Sequence, residues 1–86
     1  MLKIYGSMQC PDCGRCREDL DRANVEYEYY DFGESLLHLK TFLTIREREP
    51  AFDAVRKAGG IGIPCIEKAD GSITLSWEEF LPYTNS

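Results

Sequence analysis

Apolar Leu2 and Ile4 alternate with Lys3 and Tyr5, and the run stops at Gly6. A period of two belongs to a strand with one buried face, so residues 2–6 form the first predicted strand. Over residues 11–24 the period lengthens. Cys13, Cys16, Leu20 and Ala23 recur at steps of three and four, with Arg15, Arg17, Glu18 and Asp21 elsewhere around the wheel, which predicts an amphipathic helix. Residues 25–32 are dense in β-branched and aromatic side chains (Val25, Tyr27, Tyr29, Tyr30, Phe32) and close at Gly33, predicting a second strand. Leu36, Leu39, Phe42 and Leu43 restore helical spacing across 34–48. Pro50 then opens a further segment through Phe52, Val55 and Ala58 that stops at Gly59-Gly60, so a helix broken in two is expected.

Beyond Gly62, residues 64–68 read as a strand, Asp70-Gly71 is a hairpin signal, and residues 72–75 return as a fourth strand. Ser76 with Glu79 three residues on has capping-box spacing, and Trp77, Phe80 and Leu81 supply the apolar face of a short terminal helix. The order βαβ, helices, ββα requires a parallel pair under a crossover helix, joined by an antiparallel hairpin. The predicted class is therefore α/β, a mixed four-stranded sheet flanked by helices.

At 86 residues the chain has room for one domain, residues 1–86, with a single core. Its 43% hydrophobic and 29% charged residues are too apolar for a disordered chain. The net charge of -5 opposes binding to phosphate backbones or anionic lipid, so neither nucleic acid nor a membrane is an expected partner. No window approaches the roughly 18 apolar residues of a membrane span, and residues 1–5 lack the cationic start of a secretory leader. A cytoplasmic monomer is expected.

Three of the four cysteines, Cys10, Cys13 and Cys16, fall within seven residues, with Cys65 far downstream. Stapling disulfides cross-link distant segments, whereas C-x-x-C outside that setting is redox-active or metal-binding. Pro11 suits the first helical position, where its missing N–H costs nothing. That makes Cys10 the helix N-cap, beside backbone N–H groups and the positive end of the helix dipole, which stabilise a thiolate nucleophile. Cys13 lies one turn on, on the apolar stripe with Leu20 and Ala23, where it keeps its proton and serves as the resolving thiol.

Cys16 continues the same stripe as a core cysteine. Cys65 follows Pro64 directly, and strand alternation leaves open whether it faces the dithiol or the core. Ile63-Pro64 opens a strand after the glycine-rich turn, and an X-Pro bond is where a cis peptide is accessible. In cis, it would turn the Ile63 backbone toward the thiols to pair with an extended peptide or a glutathione backbone. A rival reading takes Cys10, Cys13, Cys16 and Cys65 as ligands for zinc or an iron–sulfur cluster in a binding module without turnover. Against it, Cys10 and Cys16 on one helix stand about 9 Å apart along the axis. His38, among leucines, is assigned no role, and Tyr5 is a candidate contact near the site.

C-P-D-C at a helix start after the first strand, with Ile63-Pro64 some fifty residues later before a hairpin, resembles the glutaredoxin branch of the thioredoxin superfamily over essentially the whole chain. The resemblance implies a thioredoxin-like fold and a dithiol oxidoreductase. Cys10 would be the nucleophile, Cys13 the resolver and Pro64 cis, with Pro11, Ile63 and Pro64 facing the substrate. It implies no required cofactor, glutathione as a candidate co-substrate, and a disulfide-containing protein or glutathione mixed disulfide as partner. Members of that branch typically carry C-P-Y-C, a basic residue before the first cysteine, T-V-P at the cis-proline and G-G-x-x-D at the last helix. Here Asp12, Gln9, Ile63 and residues 75–78 stand in those places, leaving the Ile63 backbone, and Arg46 or Arg48, as candidate glutathione contacts.

Overall fold

Strand β1 (Leu2–Gly6) lies inside a four-stranded sheet, paired along both of its edges, and its alternation divides the molecule in two. The computed structural model describes residues 1–82. The expected domain extends to residue 86, so its last four residues lie outside those described. Strand β2 (Tyr27–Asp31) runs parallel to β1, with Leu2 beside Tyr27 and Ile4 beside Tyr29. On the other side β3 (Cys65–Glu67) is antiparallel, with Tyr5 beside Cys65 and Ile4 beside Ile66, and β4 (Ile73–Thr74) completes the order β2-β1-β3-β4. The sheet is mixed and open, and the class is α/β.

Helix α1 (Pro11–Arg22) provides the parallel crossover and buries Cys13, Cys16 and Leu20. On its side of the sheet, Ile4, Cys16, Leu20, Ile66 and Leu81 form one core. Helix α2 (Leu36–Arg48) starts at Ser35, whose hydroxyl accepts from the Leu37 N–H at 3.1 Å, satisfying one of the free donors of the first turn. It stops before Pro50, which holds Glu49 in extended backbone. A single 3-10 turn (Pro50–Phe52) leads into α3 (Asp53–Ala58), which ends on Gly59 in the left-handed conformation. On this side Tyr5, Phe42, Ile45, Phe52 and Cys65 form the second core. Phe42 and Phe52 are fully buried and meet edge to face with ring centres 5.8 Å apart. Each such ring contributes roughly 1.5–3 kcal/mol by burial.

The terminal segment departs from expectation. Residues Trp77–Phe80 form a 3-10 turn in place of an α-helix, and Ser76 makes no capping bond. The Glu79 carboxylate is drawn back instead to the Thr74 hydroxyl at 2.9 Å and the Lys68 ammonium at 2.6 Å, tying the turn to the hairpin. Trp77 closes it against α1, donating from its indole nitrogen to Asp19 at 2.9 Å. Among the described residues, no helix is long and apolar enough to cross a membrane.

Two glycines should respond in opposite directions to alanine. Gly62 has φ +91°, and a Cβ there would stand 2.6 Å from the Phe52 ring. Gly14 is helical, exposed and faces open space. Gly62→Ala is expected to lower the unfolding free energy by about 2 kcal/mol, and Gly14→Ala to raise it by up to about 1 kcal/mol. Urea midpoints at pH 7 measure both.

Candidate functional site

The chain leaves β1 at Gly6 and enters α1 at Pro11, so four residues must turn it from sheet to helix. The Cys10 N–H donates to the Ser7 carbonyl at 3.1 Å and the Gln9 N–H to the Ser7 hydroxyl at 3.1 Å, which fixes this turn. Cys10 is the N-cap, in extended backbone, and its carbonyl accepts the first helical bond from Gly14 at 3.2 Å. Its sulfur makes no capping hydrogen bond in the thiol form. The side chain is half-buried and lines a cleft of about 550 Å³ together with Ser7, Gln9, Gly60, Ile61, Gly62 and Ile63.

Cys13 is fully buried beneath Cys10. Loss of solvent pushes its thiol up to about 11, against a backbone N–H of Ser7 that draws it down; a hydrogen bond with the Cys10 side chain adds to the rise. The sulfur rests over Gly6, where a Cβ would come within 2.6 Å of it. All four cysteines are free thiols.

The far wall of the cleft is held from α2. Arg46 donates from Nε to the Ile61 carbonyl at 3.0 Å and from Nη2 to the Gly60 carbonyl at 2.7 Å, and Arg56 donates to the Arg46 carbonyl. Arg46 thus holds the loop with its donors, and Arg48 pairs with Glu49 at 3.1 Å. Neither lines the cleft, and the seven lining residues carry no charged side chain. The opposed charges next to Cys10 pair with each other, Asp12 with Arg15, on the exposed face of α1. Arg17 lies over the Tyr29 ring, 4.5 Å from its centre, and donates to the Met8 sulfur at 3.0 Å.

Of the expected site residues, Cys10, Cys13 and Ile63 come together. Ile63 and Cys10 share the cleft, while Pro11 and Pro64 each stand one position outside its lining. The Ile63-Pro64 peptide is cis. The four-cysteine ligand set does not form. Cys16 is buried in the core under α1 and Cys65 in the core under α2, on opposite faces of the sheet, because Tyr5 and Cys65 are register partners facing away from Ile4 and Ile66. Among the described residues no three His, Cys, Asp or Glu side chains converge as metal ligands. Tyr5 also faces away from the dithiol, stacked on Tyr30 at 5.2 Å.

No protein-family model and no solved structure matches the chain. An uncharacterized protein of Haemophilus influenzae is 33% identical to it over 72 residues, which covers 84% of each chain. The chain belongs to the family of that protein. The turn and dithiol described above lie in its first quarter, and the cleft loop some fifty residues later.

Two residues beside the dithiol escape a reading by residue type. Tyr29 counts as strand packing until the parallel register sets it next to Ile4, on the α1 face. Gly6 counts as a strand end, yet its missing side chain is what admits Cys13.

Exposure predicts the order of alkylation. Cys10 should take up iodoacetamide first at pH 7.5, with Cys13, Cys16 and Cys65 at least about tenfold slower until urea exposes them. Peptide mass spectrometry of timed samples checks this, and equal labelling of Cys16 or Cys65 with Cys10 would contradict the burial described.

Burial also sets an alkaline limit to stability. Desolvation pushes Cys16 up to about 12, with Cys13 and Asp19 nearby adding to it, and pushes Cys65 up to about 12, with Glu67 and Glu49 adding. Unfolded thiols ionise around the ordinary value of 9.0, so their contribution is intact below pH 9 and is lost as pH rises toward the folded values. Each thiol should cost about 1.4 kcal/mol of unfolding free energy per pH unit in that interval. Urea unfolding in reductant between pH 8 and 10.5 should show the fall, with a shallower slope for Cys16→Ala.

Proposed function

We propose that the protein is a thiol–disulfide oxidoreductase of glutaredoxin-like kind and thioredoxin-like fold. The observation that carries the reading is the asymmetry of two neighbouring thiols: Cys10 opens on a cleft at a helix N-cap, and Cys13 lies fully buried one turn on. The βαβ unit followed by helices and an antiparallel hairpin, in the order β2-β1-β3-β4, supports the fold assignment.

In this mechanism the Cys10 thiolate attacks one sulfur of a substrate disulfide. A Cys10–substrate disulfide forms, the substrate bond breaks, and the departing sulfur takes the electron pair and then a proton. Cys13 next attacks the Cys10 sulfur, closing Cys10–Cys13 and releasing the second substrate thiol. The substrate gains two electrons and the protein loses two, to be restored by an external thiol. Without a helix N-terminus the attacking sulfur would face its negative charge unaided; N-cap placement supplies oriented N–H groups and a dipole.

Ile63 and the glycines beside it offer the cleft backbone groups for an extended substrate, and the substrate classes are a disulfide-bearing protein or a glutathione mixed disulfide. With Arg46 occupied by loop carbonyls, glutathione would be held through its backbone. No required cofactor enters this reading, which places a monomer in the cytoplasm acting as a reductant.

Equilibration across glutathione redox buffers, acid quenching, alkylation and peptide mass spectrometry test the proposal. A Cys10–Cys13 disulfide or a glutathione adduct on Cys10 should titrate reversibly. Cys10→Ser should abolish exchange and Cys13→Ser should trap the mixed disulfide. Thiols that stay reduced at every poise, or exchange that proceeds at full rate in Cys10→Ser, would overturn it.

A further inference from the structure

The Tyr29 hydroxyl is buried and has no hydrogen-bond partner of good geometry, alone in this among the described side chains. It shares the space above Gly6 with the Cys13 sulfur: a Cβ on Gly6 would stand 2.8 Å from the hydroxyl and 2.6 Å from the sulfur. Its ring is clamped by the Arg17 guanidinium, 4.5 Å from the ring centre. A phenylalanine would fill the same volume without stranding a polar atom, so packing alone gives the hydroxyl no purpose.

We infer that the Tyr29 hydroxyl is a catalytic hydrogen-bond donor to the Cys13 sulfur, engaged when that sulfur bears negative charge in the resolving step. The inference rests on the oxidoreductase reading above. In the resting dithiol burial keeps the thiol neutral, and the hydroxyl beside it makes no hydrogen bond of good geometry. In resolution Cys13 gives up its proton and its sulfur lone pair forms the bond to Cys10. The bond from Cys10 to the substrate breaks, and the released substrate thiolate takes up a proton, so the step needs no reagent beyond the mixed disulfide. A thiolate at that depth has lost its water, and an O–H already beside it replaces part of the lost solvation. The phenol keeps its own proton throughout, since burial and then the nearby Cys13 hold it well above the ordinary tyrosine range. Arg17 faces the ring, Asp31 lies on the same strand, the Ser7 N–H meets the sulfur from the turn, and the Cys10 and Cys16 thiols flank Cys13 on its own helix.

The test separates the two steps. Excess dithiol protein is mixed in a stopped-flow instrument with an aromatic disulfide whose released thiolate is coloured. One equivalent appears as Cys10 is modified, and a second as Cys13 displaces it. Tyr29→Phe is expected to slow the second phase about tenfold at pH 7 and to move its pH midpoint up by about one unit. The first phase should be unchanged, and the urea midpoint equal or higher, as removing an unpartnered hydroxyl predicts. Tyr30→Phe, which loses a hydroxyl on the opposite face of the sheet, should match the wild type. A second phase and pH midpoint unaltered in Tyr29→Phe would overturn the inference, as would equal slowing of both phases with a lowered urea midpoint. A wild-type protein that shows no second phase at all would instead overturn the oxidoreductase reading beneath it.

Discussion

Gly6 carries no side chain, and the dithiol end of the molecule is assembled in the space this leaves. A methyl group there would overlap both the Cys13 sulfur and the Tyr29 hydroxyl, so one or both would have to shift within a close-packed interior. With hydrogen in its place, the first turn of α1 settles directly on the end of β1. Cys13 is then sealed from water and Cys10, three residues earlier, is left at the rim. The difference between the two thiols is thus a consequence of one close approach of helix to sheet.

The opposite wall of the cleft has a separate origin. Gly62 adopts a backbone that a side chain would strain and lies against the Phe52 ring, so the loop is anchored in the core under α2. Arg46 holds the same loop from outside through two carbonyls, using its planar fork where an ammonium would offer a single point of charge. The cleft therefore opens between elements supported by different cores, with the sheet as their common base. On the proposed function, such a cleft, lined by backbone and neutral side chains, would select by shape and hydrogen bonding more than by charge.

How far this was legible in the sequence depended on whether a feature is local. Leu2 and Ile4 announce a strand by alternation, Ser35 and Pro50 bracket a helix by capping and backbone restriction, and Pro11 after Cys10 marks a helix start; each observed element lies within its expected span. The spacing of Cys10 and Cys13 located the dithiol for the same reason. Cys16 and Cys65 could not be separated by spacing, since only the pairing of Tyr5 with Cys65 shows that they lie on opposite faces. The terminal turn was misread because Ser76 and Glu79 satisfy a local capping rule while Lys68 and Thr74, on the preceding hairpin, compete for the same carboxylate. Arg46 as the anchor of the 59–62 loop is likewise a contact across fourteen residues or more that no local pattern encodes.

Tyr29 shows how stability and chemistry diverge at one position. Leaving a hydroxyl buried without a partner costs about 1–3 kcal/mol, a large share of the 5–15 kcal/mol that typically separates folded from unfolded chains. Elsewhere the same chain satisfies comparable groups carefully: Trp77 donates to Asp19, Thr74 to Glu79, and Tyr27 to Asp21 at 2.8 Å. The exception falls beside Cys10 and Cys13, where the proposed exchange would bring a charge transiently into a dry place. A donor that is idle in the resting state and satisfied only when that charge forms lowers the barrier without stabilising the ground state. On that argument the unpartnered hydroxyl is the cost of readiness at the dithiol, and it follows from the same close packing over Gly6 that buried Cys13.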